Sequence, residues 1–431
     1  MNIRLCLLWA FFAFGVEAIW KFSVKHITTD GDNDATETYL PLPSTDPWYR
    51  APDGWEAAQP GTVFKVRHHA YNVSLVPVAN LKEVFQVLFR STNSLENATW
   101  GVTTVFIPKN CTQGIVSYQL PYDTSCLDAS PSFGLQWGDP YGEIGQSLGR
   151  GWWVSVPDFE GPLASYGASI VAGYITIDSV RAVLATVAKE FGVKNARVGL
   201  WGYSNGASAT EAAVEFAPKY APELKLAGAA IGGLTPSLST SGPMLRGTQV
   251  SGLLVQGIIG VTSQYPEQRK WVLSRLHQSG PYNATEFFWA TYMSGWQSLL
   301  YYAYVDVFQY FIGGRADLEE PGMLAMFYRE GTLGVFGIPN TPIFMYHAID
   351  DDTTPIGETD SVVRNFCEKG SNILYHRNSW GGHNDELTNG RQRSLDFFGT
   401  VLGGGNTLPF PATGCETVDI KFMQDPNKPI A

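Results

Sequence analysis

Beyond Pro60-Gly61 the chain alternates short runs rich in β-branched and aromatic residues with longer stretches whose apolar positions recur every three or four residues. Eight of the short runs predict strands: 86–91, 103–107, 114–119, 152–157, 197–201, 227–231, 341–347 and 372–376. The clearest helix signal lies at 177–191, where Ile177, Val180, Leu184, Val187 and Phe191 share one face and Gly192 supplies the stop. Downstream, the strand-like 197–201 passes through Gly202 directly into a second helix-like stretch, 205–220. Strands alternating with helices predict an α/β fold, with a mostly parallel, doubly wound sheet covered by helices.

Two stretches break this alternation. Residues 19–62 are rich in Pro, Asp, Thr and Trp without a sustained period, and predict an irregular leader draped over the domain. Residues 236–337 are dense in Trp, Tyr, Phe, Leu and Gly, including Phe287-Phe288-Trp289 and Tyr301-Tyr302. They predict a cap inserted into a catalytic domain made of 63–235 and 338–431. Its aromatic residues serve either the cap's own core or contact with a lipid interface. At the start, Arg4, the apolar run Leu5 to Val16 and Val16-Glu17-Ala18 read as a signal peptide over 1–18. That run is too short to span a bilayer, which takes roughly 20 residues.

Composition narrows the picture further. With 44% hydrophobic and 16% charged residues the chain has ample apolar area for a large core and too little charge for a disordered one. Its 29 basic and 40 acidic residues give a formal charge of −11 with no basic run, so nucleic acid and anionic membranes are poor partners. No obligate protein partner is indicated. Removal of Cys6 with the signal leaves Cys111, Cys126, Cys367 and Cys415, an even set suited to an oxidising compartment. Three pairings are open, and proximity in sequence favours Cys111 with Cys126 and Cys367 with Cys415. Asn72, Asn97, Asn110 and Asn283 begin glycosylation sequons, in keeping with secretion.

The strand, turn and helix around residue 202 carry the chemistry. Gly202-Tyr203-Ser204-Asn205-Gly206 matches Gly-x-Ser-x-Gly, a strained turn that lifts the serine hydroxyl above the edge of a sheet. Ser204 is the candidate nucleophile. A hydroxyl needs a histidine base and a carboxylate to orient that base, and on this type of fold the chain order is Ser, acid, His. Of seven histidines, His26, His68 and His69 precede Ser204, and His277 falls in the cap. His347 and His376 lie inside strand-like runs, where a satisfied, half-buried imidazole is the expected reading. His383, in the loop-like Trp380-Gly381-Gly382-His383 after the last predicted strand, remains as the base.

The acid should follow the strand ending at His347, where Asp350, Asp351 and Asp352 stand in a row, and spacing alone does not choose among them. For the oxyanion, the backbone N–H of Asn205 is one donor by construction. No His-Gly-Gly-Gly run exists, so the second donor must come from the loop 120–124, through its backbone or a suitably protonated or oriented Asp123. Neither a metal-ligand pattern nor a dinucleotide fingerprint is present in the sequence, so no cofactor is expected.

With these residues in view the chain resembles the fungal secretory lipase family, of the lipase A type, from about Asp46 to Cys415. The likeness rests on Asp46-Pro47-Trp48-Tyr49 with Pro60-Gly61-Thr62, on Ser117-Tyr118-Gln119 with Asp123 and Ala129-Ser130-Pro131-Ser132, and on Gly202-Tyr203-Ser204. Most specific is the stretch from Pro342 through Ala348-Ile349-Asp350-Asp351-Asp352 and Pro355 to Cys367-Glu368-Lys369-Gly370 and Gly382-His383. The resemblance implies a capped α/β-hydrolase fold, no cofactor, and hydrolysis of acylglycerols or other carboxylic esters. It places Asp351 on the family's catalytic acid, His383 on its catalytic histidine and Asp123 on its oxyanion-hole aspartate.

Departures from the family pattern occur at Asn205 and Ala207, and at the cysteine that usually precedes the Ala129–Ser132 region. Here that cysteine is displaced to Cys126, which favours a local disulfide. One branch of the family deacetylates secreted metabolites, the trichothecene esterases among them, so the ester is either a lipid or a small molecule. A serine peptidase or a non-catalytic binding protein on the same fold would carry the same motifs.

Overall fold

The computed structural model describes residues 39–68, 70–71 and 78–424. The expected signal peptide, the expected leader before Tyr39 and the sequon at Asn72 lie outside the described residues. Among these, ten strands form one sheet in the order β1-β2-β3-β5-β4-β6-β7-β8-β9-β10. The strands are β1 (Val63–His68), β2 (Leu81–Thr92), β3 (Ala98–Pro108), β4 (Gly114–Gln119), β5 (Trp153–Pro157), β6 (Arg197–Tyr203), β7 (Leu226–Gly232), β8 (Ile343–Ala348), β9 (Ile373–Asn378) and β10 (Cys415–Ile420). β1, β2 and β3 pair antiparallel, and β3 meets β5 antiparallel. From β5 to β10 every neighbouring pair is parallel. The C-terminal ends of β4 to β9 therefore share one edge, where the loops that follow them converge.

Side-chain alternation divides the core between the two faces of the sheet. Val198 and Leu200 of β6 join a cluster with the helices Ser169–Phe191 and Asn205–Tyr220, while Trp201 and Tyr203 face Leu395, Phe397 and Phe398 of the helix His383–Leu402. Each fully buried side chain of this size contributes about 1.5–3 kcal/mol, so the parallel strands fix the edge firmly. Between β7 and β8 the chain builds a set of short helices around a third apolar cluster that includes Val255, Ile259, Phe287, Tyr302, Tyr310 and Met326. Other aromatic residues of this insertion, Trp289, Tyr292, Trp296 and Tyr304, are exposed. The described part of the leader runs through short turns, with Tyr49 packed on Leu88 and Val102 and Asp46 paired with Arg67.

The structure departs from the sequence expectations at identifiable places. β1 and β10 carry no strand signal because both are sheet margins with mixed polarity; β10 is mostly exposed. The helix expected from residue 177 starts at Ser169, because its first turns are buried almost all round and so lack an amphipathic period.

One disulfide joins Cys367 to Cys415, with 5.8 Å between their Cα atoms. The pairing expected between Cys111 and Cys126 is not made: Cys111 is an exposed free thiol and Cys126 a buried one. The two flank β4, whose six residues separate the opposite edges of the sheet by roughly 20 Å, whereas a disulfide needs Cα atoms within about 7 Å. Proximity in sequence misleads here because the extended strand β4 lies between the two cysteines. Of the described sequons, Asn97 and Asn110 are exposed, and Asn283 is half-buried, its side chain capping the helix Ala284–Phe288.

Candidate active site

The elbow follows from local sterics. At Gly202 an added Cβ would lie 2.0 Å from the carbonyl oxygen of Gly206, and at Gly206 it would lie 1.9 Å from that of Gln119. Only glycine at both positions lets β6 turn at once into the helix Asn205–Tyr220 against β4. Ser204, between them, takes φ 55° and ψ −122°, a region that costs a non-glycine residue on the order of 1–3 kcal/mol. Its backbone N–H donates to Gly232 O at 2.9 Å, tying the turn to the end of β7.

His383 Nε2 stands 2.9 Å from Ser204 Oγ, and His383 Nδ1 stands 2.7 Å from Asp351 Oδ2. Residues 179 and 32 positions apart in sequence are thus joined in one chain of hydrogen bonds. His383 is not in a loop, as its glycine-rich surroundings suggested; it is the first residue of the helix His383–Leu402. Nor is the strand before it the last, since β10 follows later in the chain. The Tyr203 hydroxyl donates to His383 O at 2.6 Å, and the two rings lie 5.2 Å apart, which fixes the imidazole from behind.

Asp351 is the inward member of its triplet, while Asp350 and Asp352 are exposed. Its Oδ1 accepts from the N–H groups of Thr353 at 2.9 Å and Thr354 at 2.6 Å. Its Oδ2 faces His383 Nδ1 and, at 3.2 Å, His347 Nε2. Burial pushes the carboxyl up, but hydrogen bonds from His347 and His383 outweigh burial and hold it well below the usual carboxylate range.

On the other side of Ser204 lies the loop after β4. Asn205 occupies the first helical position, where the N–H has no partner within the helix. Its side-chain Nδ2 donates to Glu160 Oε1 at 3.0 Å. Asp123 has φ 47°, and its buried Oδ1 has no hydrogen-bond partner among the described residues. Burial pushes its carboxyl up to about 6, against the opposing pull of His383. The insertion clamps this loop: Thr124 Oγ1 donates to Met293 O at 2.7 Å, and Ser125 N donates to Gln256 Oε1 at 2.7 Å. A Cβ on Gly295 would come within 2.8 Å of the carbonyls of Tyr122 and Asp123, so the helix Gly295–Tyr301 lies directly on the loop.

Sequence reasoning passed over three residues here. Glu160 and Tyr203 gave no signal, because contact with Asn205 and His383 arises from neighbouring strand ends rather than from spacing. His347 does carry one: it stands four residues before Asp351 near the end of a strand, a setting that by itself points to a core residue. In total, Asp123, Glu160, Ser204, Asp351 and His383 follow β4, β5, β6, β8 and β9 and meet at one sheet edge.

Comparison with known proteins identifies the family and the fold. Residues 141–405 match the family model described as secretory lipase. The chain is 39% identical over 393 residues to a trichothecene C-3 esterase of Fusarium sporotrichioides, covering 88% of each chain. It is 35% identical to lipase A of Arthroderma benhamiae, covering 88% of this chain and 83% of that one. Among solved structures, Candida antarctica lipase A superposes with a TM-score of 0.77 at 27% identity, covering 91% of this chain and 92% of that one. The chain belongs to the secretory lipase family, has the α/β-hydrolase fold and is a carboxylic ester hydrolase.

Proposed function

We propose that Ser204, His383 and Asp351 carry out the hydrolysis through an acyl-enzyme. The reading rests on one observation, the continuous path from Ser204 Oγ through His383 to Asp351 at 2.9 and 2.7 Å. Ser204 Oγ attacks the ester carbonyl carbon as His383 Nε2 takes its proton. The carbonyl oxygen becomes an oxyanion facing Asn205 N–H and Asp123, and Asp351 stabilises the imidazolium without taking the proton. Collapse breaks the C–O bond, and His383 protonates the departing alcohol. Water then repeats the sequence on the acyl-enzyme, releasing the acid and restoring Ser204.

Replacing Ser204 by Ala should lower kcat on a soluble short-acyl nitrophenyl ester by on the order of 10⁶-fold, with unfolding and secretion unchanged. Labelling by a fluorophosphonate should be lost in the same variant. Activity that survives the substitution would place the nucleophile elsewhere.

Two substrate classes fit. The identity of 39% to a trichothecene C-3 esterase, and of 37% to a protein named as a probable trichothecene esterase, favours a small oxygenated ester. The exposed Trp289, Tyr292, Trp296, Leu300 and Tyr304 around the helix that covers the oxyanion loop favour contact with a lipid interface. Rate measured against acyl length, across the concentration at which the ester forms droplets, separates the two. A jump at that point supports the lipid reading, and plain saturation supports the small ester. Release from the cell by secretion, through a signal at 1–18, completes the proposal.

A further inference from the structure

Behind the acid stands a second imidazole. His347, on β8, is fully buried, with its Nε2 3.2 Å from Asp351 Oδ2 and 2.8 Å from Thr354 O. Thr354 Oγ1 lies 3.3 Å from both His347 Nε2 and His383 Nδ1. Two oxygen acceptors crowd Nε2, so that nitrogen carries the proton. His347 Nδ1 is buried and has no hydrogen-bond partner among the described residues. A proton there would be a buried donor without an acceptor, which is costly. The ring is therefore held as the Nε2–H tautomer, its proton shared between Thr354 O at 2.8 Å and, more weakly, Asp351 Oδ2 at 3.2 Å, without adding charge. His383 remains the cation that Asp351 meets when Ser204 reacts. The other titratable or charged groups around this pair are Tyr203 and Glu386 with its partner Arg393.

We propose that His347 is a positioning residue for the hydrolysis, fixing Asp351 Oδ2 where it accepts from His383 Nδ1. The inference rests on the Ser204–His383–Asp351 reading. Backbone donors from Thr353 and Thr354 hold only Oδ1. Because the two oxygens are rigidly linked, these donors also restrain rotation about Cβ–Cγ, and His347 adds a second restraint on the Oδ2 side. It does so from the rigid end of a central strand, so the acid is set before substrate arrives.

Side-chain geometry gives the test. In His347→Gln the amide nitrogen falls near the former Nε2 and keeps the donor, in His347→Asn it falls near the former Nδ1 and does not, and His347→Leu fills the space without a donor. On a soluble short-acyl ester, Leu and Asn should lower kcat by about ten- to a hundredfold with KM nearly unchanged, the size of one hydrogen bond to a buried anion. Gln should stay within about threefold of the parent. The downfield proton resonance of His383 Nδ1 should shift in Leu and Asn and persist in Gln. Unimpaired kcat in His347→Leu, or equal loss in Gln and Leu with both folded, overturns the inference. Should the variants not fold, heteronuclear NMR of the unmodified protein decides, because a protonated Nδ1 on His347 also overturns it. Ser204→Ala measured alongside keeps the two claims apart. Activity surviving there defeats the triad, whereas an inactive Ser204→Ala beside an unimpaired His347→Leu defeats only the positioning role.

Discussion

At the scale of single residues, Asp123 offers the sharpest experiment. Its carboxyl, pushed up to about 6 by burial, can donate to an oxyanion only while protonated, and once ionised it repels one. An asparagine would donate at every pH. The ratio of kcat for Asp123→Asn to that of the parent should therefore rise as pH increases from about 5 to about 8. Asp123→Ala should cost about 10²–10³ in kcat where the side chain is the second donor. An alanine variant with undiminished kcat would assign that donor to the backbone of the loop instead. The strained Ser204 belongs to this scale as well, since its conformation holds only because Gly202 and Gly206 let the neighbouring backbone close around it.

Elements divide the labour between the two edges of the sheet. Catalytic candidates collect at the C-terminal ends of the parallel strands, whereas the disulfide joins the end of the helix Ile356–Glu368 to the start of β10, at the N-terminal edge. It closes a loop of 48 residues and anchors an exposed margin strand. Replacing both Cys367 and Cys415 by Ser should cost about 4 kcal/mol in denaturant unfolding, with kcat little changed. A collapse of kcat in a protein that stays folded would mean that β10 helps to hold His383 in place. β9 and β10 are parallel neighbours, and Asn378 at the end of β9 contacts both Glu386 and Phe422.

Across the whole molecule, buried acids dominate the expected response to pH. Burial pushes Asp123 and Asp178 up to about 6, and Asp158, Glu143 and Glu215 up to about 7. Glu160 and Glu211 are raised further, by burial and then by a neighbouring carboxyl. Each of these groups binds its proton more tightly folded than unfolded, so stability is greatest at acid pH and falls as pH rises. For the five with stated values, the fall runs from about 4, the unfolded value, to about 7. His376, lowered to about 4 by burial and Arg393, works in the opposite sense below its ordinary value, and Asp351 and Glu223, also held low, do so only below about pH 4, under the interval from about pH 5 to about pH 8. The thermal midpoint should therefore be higher near pH 5 than near pH 8, and a higher midpoint at alkaline pH would refute this account.

Periodicity and turn chemistry determined much of this by themselves: the eight inner strands, the turn at Ser204, the inserted aromatic segment and a histidine after the ninth strand. These are local properties, written within a few residues by sterics and by the alternation of buried and exposed positions. Likeness to a family pointed to Asp351, which spacing left level with Asp350 and Asp352. Tertiary structure alone decided which carboxylate faces inward, that Cys111 and Cys126 lie at opposite edges, and that His347, Glu160 and Tyr203 touch the site. Those outcomes depend on which strand ends become neighbours, and the order β5-β4-β6-β7-β8-β9 is fixed by long-range packing that no short window of sequence encodes.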